Sequence, residues 1–179
     1  MVEASRDRRD ASAIAAQDLL RGLRSSVDEV FATMLSTLGV HTKHGDPCLP
    51  EPPLENGAEG LEAITVEARV DIQGPLQGWI SLSCTARAAD SIARGMLVVG
   101  ANDVLAKGEV EDALKECANM IAGLLKSDLL DARGAYTIGL PSLSTRKVAR
   151  PRPQGALAYR LCAGTFQAEL WLDRRPGPS

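Results

Sequence analysis

The chain has 179 residues, of which 45% are hydrophobic and only 3% aromatic, and its net charge is −3. That length favours one globular domain with at most an appended tail, its core built from Leu, Ala, Val and Ile. No Lys/Arg stripe with interleaved aromatics points to nucleic acid, and no apolar run is long enough to span a bilayer, so neither nucleic acid nor membrane is an expected partner. The polar start Met1–Asp10 does not read as a secretory signal, which makes the cytoplasm the expected compartment. There the four scattered cysteines, Cys48, Cys84, Cys117 and Cys162, read as small buried hydrophobes and not as disulfides.

In chain order, residues 1–25 read as an N-terminal extension, partly helical or disordered. Helical spacing runs from about Ala11 to Leu38, with Leu19, Leu23, Val27, Val30 and Phe31 recurring at three and four residues. Gly22 and Ser25-Ser26 are expected to divide it, because Ser26 is a good N-cap with Glu29 three residues on. Gly39 ends the helix. His41-x2-His44-x3-Cys48 has zinc-ligand spacing. It lacks a second nearby cysteine and leads into a Pro-rich stretch, so a loop over residues 45–60 is preferred and no metal site is expected.

Ile64 to Ile72 alternates apolar with polar residues, the period of a half-buried strand. Gly74 to Gly78 turns the chain, and Trp79 to Cys84 returns as the second strand of an antiparallel hairpin. Thr85 caps a helix to Leu97, Gly100 to Gly108 connects, and a long helix runs from about Glu109 to Asp131. Strand character returns over Tyr136–Ile138, Leu143–Val148, Leu157–Cys162 and Phe166–Leu172, with Gly164 turning between the last two. The basic run Arg146–Arg152 reads as a solvated edge, and residues 174–179 as a loose tail. These elements predict an α+β domain over residues 26–173, a single antiparallel or mixed β-sheet with helices packed on it. No internal repeat is visible.

The long helix is the most informative stretch. At about 100° per residue, Val110, Ala113, Leu114, Cys117, Ile121, Leu124 and Leu125 form one apolar stripe. Asp112, Glu116, Asn119 and Gly123 share a narrow arc opposite, so Glu116 and Asn119 are neighbours. An exposed helix face collects acids without any function, but two residues here run against helix preference. Asn is a poor mid-helix residue because its amide competes for backbone bonds, and Gly123 costs about 1 kcal/mol relative to Ala. No nucleotide-binding glycine loop is present, neither His sits in a nucleophile motif, and Cys117 lies on the apolar stripe.

Asp112-x3-Glu116-x2-Asn119, followed by Met120-Ile-Ala-Gly123 and, after twenty-one intervening residues, by Pro141, resembles the signature of the CheC/CheX/FliY phosphatases of bacterial chemotaxis. Val30 to Leu35 is similar to that family's first helix. One motif instead of two points to the CheX-like single-site branch. Leu124-Leu125 after the glycine and Lys115 before Glu116 depart from the usual pattern. The resemblance implies a CheX-like fold and a phosphatase acting on the aspartyl phosphate of a CheY-like response-regulator receiver domain. In that role Asn119 orients the attacking water, Glu116 pairs with the partner's lysine, and Asp112 and Gly123 contact the partner. Mg²⁺ is expected on the partner receiver, with no cofactor bound by this chain, and a homodimer follows by analogy. The alternative is a non-enzymatic CheX-like protein that docks on a receiver or flagellar-switch partner.

Overall fold

The computed structural model describes residues 16–37, 66–100, 102–130, 134–144, 155–161 and 164–174. Met1–Asp10, the His41/His44/Cys48 arrangement, the Pro-rich loop, Cys162 and Arg146–Arg152 lie outside them. Helix α1 (Ala16–Thr37) is a single helix, so the break expected at Ser25-Ser26 is absent. Ser26 is buried in its interior, and its hydroxyl donates to the Gly22 carbonyl at 2.9 Å. A serine bonded back to residue i−4 needs no other partner and can sit mid-helix. Leu19 and Leu23, ahead of the boundary read at Ser26, are buried with Val27, Val30 and Phe31.

Strands β1 (Val66–Gln73) and β2 (Leu76–Cys84) form the expected hairpin, with Val70 opposite Ile80. Ala68, Val70 and Ile72 alternate inward and meet Ile80, Leu82 and Cys84 in the core. Helix α2 (Ala86–Leu97) starts where the Thr85 hydroxyl accepts from the Ala88 N–H at 3.3 Å. It ends on Val98, held in the left-handed region at φ 55°.

Helix α3 (Lys107–Leu125) begins two residues before the expected Glu109 and continues as one π-helical turn over Lys126–Leu130. The earlier start has a local cause. Glu109 reaches back and accepts from the Ala106 N–H at 2.7 Å, filling the role of a cap that Ala106 itself cannot supply.

The remaining strands are β3 (Thr137–Ile138), β4 (Ser142–Ser144), β5 (Gly155–Leu161) and β6 (Gly164–Arg174). Every pairing is antiparallel and the sheet runs β3-β1-β2-β6-β5, with β4 also on β1. Of the two sheet types expected, the antiparallel one is present. Arg174, assigned to the tail from sequence, pairs with Leu76 in β6.

Strands β3 and β4 are two halves of one bulged edge strand. Ile138 faces Ile72 while Ser142 faces Arg69, so four steps on this strand span three on β1. The extra residue falls at Leu140-Pro141, where proline has no N–H for the ladder.

The three helices of the described residues pack on the sheet. Helix α1 lies on β5 and β6, α3 lies on β1 and β2, and α1 and α3 pack against each other. A helix-and-hairpin unit is thus repeated about the central β2–β6 pair, each helix covering the other unit's hairpin. This repeat of packing corrects the reading that the chain holds no internal repeat. Phe31 of α1 stacks on Phe166 of β6, ring centroids 4.6 Å apart, at the centre of this arrangement.

Candidate active site on helix α3

Helix α3 is held by its apolar stripe. Ala113, Leu114, Cys117, Ala118, Ile121, Ala122 and Leu125 are buried. A fully buried Leu such as Leu114 or Leu125 contributes roughly 1.5–3 kcal/mol. Val110 and Leu124, expected on the stripe, sit half-buried at its margins, whereas Ala118 and Ala122 were missed because small side chains add little to a periodic pattern.

The opposite arc keeps the arrangement expected from spacing. Asp112 and Glu116 are exposed, and Asn119 and Gly123 are half-buried beside them. Asp112 is engaged by Lys115 at 2.5 Å, a pair within one turn whose carboxylate side is three-quarters exposed. Such a pair adds little stability. Among the described residues neither the Glu116 carboxylate nor the Asn119 amide has a hydrogen-bond or ion-pair partner. Both are therefore available to groups outside the chain. An amide offers two donors and an acceptor, and a carboxylate offers acceptors for a cation.

Pro141 lies on the sheet edge, in the bulge between β3 and β4. The bulge that carries it interrupts the edge strand on β1, and α3 packs on both β1 and β4. Leu140 at the tip is 94% exposed. Bulges are frequent beside functional sites because they re-aim the chain.

Cys117, next to Glu116 in sequence, is excluded as a nucleophile. Burial pushes its thiol far above the usual range, with smaller contributions from Cys84 and the Glu116 charge. Burial likewise pushes Cys84 up to about 12. Both stay protonated and inert at neutral pH. Among the described residues, no group of three or more His, Cys, Asp or Glu is placed to hold a metal, and no helix is long and apolar enough to cross a membrane.

Sequence reasoning overlooked the face of α1 that borders this site. Glu29, Val30 and Thr33 line a groove together with Met120, Gly123 and Leu124 of α3. A signal was present, since Ser25-x3-Glu29-x2-Ala32 repeats the spacing of Asp112-x3-Glu116-x2-Asn119. Ala32 stands where the amide would be, so the α1 copy has an acid but no water-holding group.

The family of the chemotaxis phosphatase CheX matches residues 66–156, a span that takes in α3 and the Pro141 bulge. The chain belongs to the CheX family. Solved structures agree on the fold. The chemotaxis protein CheX from Desulfovibrio desulfuricans is 21% identical, with a TM-score of 0.64 over 87% of this chain and 99% of that one. CheX from Vibrio vulnificus is 19% identical, with a TM-score of 0.62 over 90% of this chain and 100% of that one. The CheX of a CheX–CheY–BeF3–Mg²⁺ complex from Borrelia burgdorferi is 16% identical, with a TM-score of 0.62 over 88% of this chain and 99% of that one. Comparison with curated protein sequences gave no match. The CheX-like α+β fold expected from the signature helix is thus the observed one, and the family to which the chain belongs is one of chemotaxis phosphatases.

Proposed function

We propose that this CheX-family protein hydrolyses the aspartyl phosphate of a CheY-like receiver domain, using the exposed arc of α3. The observation that carries the reading is Asn119, a mid-helix amide with no partner among the described residues, one turn from an equally unpartnered Glu116. The partnership of a CheX with a CheY in the Borrelia complex supports the choice of substrate.

The chemistry fits these side chains. Water attacks phosphorus in line with the bond to the partner's aspartate. That bond breaks, the carboxylate leaves, and the water's proton is lost to solvent or to phosphate. Positioning and charge neutralisation supply most of the acceleration in phosphoryl transfer. The Asn119 amide holds the water without bringing a second negative charge against the phosphoryl oxygens. Glu116 pairs with a lysine of the receiver and sets the depth at which α3 inserts. Asp112 and Gly123 contact the partner around this pair. Mg²⁺ belongs to the receiver in this reading, and this chain binds no cofactor. The protein acts as a homodimer, paired through an exposed sheet edge.

The test follows loss of phosphate from receivers of the same organism. Asn119→Ala is expected to retain binding to the phosphorylated receiver and to lose about 10²–10³ in rate. Wild-type turnover by that variant would overturn the mechanism. Binding without acceleration by the wild type would leave a docking protein in place of an enzyme.

A further inference from the structure

Two helix-interior glycines behave differently in this fold. A Cβ on Gly22 would meet the side-chain ends Leu129 Cδ2 at 2.9 Å and Leu125 Cδ1 at 3.1 Å, so those leucines would have to shift to admit it. Among the described residues, a Cβ on Gly123 would meet nothing within 4 Å. Its cost of about 1 kcal/mol against alanine therefore has no return within the described chain.

The space beside Gly123 is the α1–α3 groove, about 330 Å³ in volume. Buried Val30 forms its floor, Met120 and Leu124 are its half-buried walls, and the exposed Glu29 stands on its rim. The Thr33 hydroxyl donates to the Glu29 carbonyl at 2.9 Å. Glu29 has no cation within ion-pair distance among the described residues. Gly123 lies one helical turn from Asn119, so the groove is continuous with the catalytic face proposed above. Around Asn119 that face carries Glu116 without a partner among the described residues, while Asp112 is paired with Lys115 and Glu109 caps the helix start.

We infer that this groove is a second contact for the phosphorylated receiver, seating one large apolar side chain flanked by a Lys or Arg that pairs with Glu29. The inference rests on the phosphatase reading. Gly123 keeps the seat open, Val30, Met120 and Leu124 provide its apolar walls, and the acidic rim selects a basic neighbour. Glu29 thereby becomes a specificity-determining residue on a helix that carries no catalytic group. Charge complementarity of this kind governs partner choice and the rate of encounter more than raw affinity.

The experiment compares Gly123→Leu, which fills the seat, and Glu29→Lys, which reverses the rim charge, using the full chain and a receiver phosphorylated on aspartate. Each is expected to raise KM for the receiver at least tenfold, with the loss in KM and not in kcat. Glu29→Lys should also abolish part of the salt dependence of binding. Asn119→Ala should show the reverse split, with kcat lost and KM held. Leucine is a better helix former than glycine, so Gly123→Leu should melt no lower than wild type, which separates lost docking from lost folding. Wild-type KM in both groove variants, alongside an inactive Asn119→Ala, would overturn the groove and leave the phosphatase standing. Failure of the wild type to act on any receiver would overturn both.

Discussion

Replacing Asn119 by alanine removes a side chain that helices disfavour by several tenths of a kcal/mol, and no bond to the rest of the described chain is lost with it. The variant should therefore be as stable as wild type or slightly more so, and inactive. A pure solvated-face residue would leave activity intact, and a structural one would lower the melting temperature. The buried thiols make a separate claim at this scale. Unfolded cysteine deprotonates near pH 8.5, whereas Cys84 in the fold holds its proton to about pH 12 and Cys117 is held higher still. The unfolded state thus loses protons first as pH rises. The stability due to these groups is complete below about pH 8.5 and falls above it, by at most about 1.4 kcal/mol per pH unit for each thiol. Urea titrations between pH 8 and 11 should show this decline, with a shallower slope in the Cys84→Ala/Cys117→Ala variant. Equal slopes would place the thiols in contact with water.

At the scale of elements, Gly22 carries the sharpest prediction. Gly22→Ala pushes a methyl against Leu129 and Leu125, and overpacking of that kind costs about 1–3 kcal/mol. Helix propensity returns about 1 kcal/mol of it. Denaturant midpoints should show net loss, and a stabilised Gly22→Ala would mean that the two leucines can shift freely. The stripe of α3 and the β1–β2 hairpin were legible in the sequence because each is a local period imposed by one buried face. The supposed break at Ser25-Ser26 was misread, since whether a serine caps a helix or bonds back within it depends on burial that spacing does not encode. The bulge at Leu140-Pro141 exists only in relation to β1, about seventy residues upstream, so nothing local could announce it beyond the proline itself. Asn119 and Gly123 stood out for the opposite reason: they contradict helix preference, and such conflicts concentrate at functional sites. Glu116, a good helix former, stood out only by its spacing to Asn119.

For the whole molecule, the crossed packing of two helix–hairpin units has a consequence for cooperativity. Because α1 covers β5–β6 and α3 covers β1–β2, neither unit keeps its core when the other opens. Trp79 and Trp171 face each other across the central β2–β6 pair and report on the sheet, while far-ultraviolet circular dichroism reports on the helices. The two signals should change in one coincident denaturant transition. Loss of helix signal before the tryptophan signal would mean that α1 or α3 detaches alone. This packing also provides a rigid mount for a helix whose exposed arc has to enter a partner, since a site is only as well placed as the elements beneath it. The most direct test of that arc is the decay of a receiver's aspartyl phosphate with wild type, with Asn119→Ala and with no added protein. Acceleration by wild type alone, with binding retained by Asn119→Ala, is the predicted result. Equal decay in all three, or equal acceleration by the two proteins, would contradict the role assigned to α3.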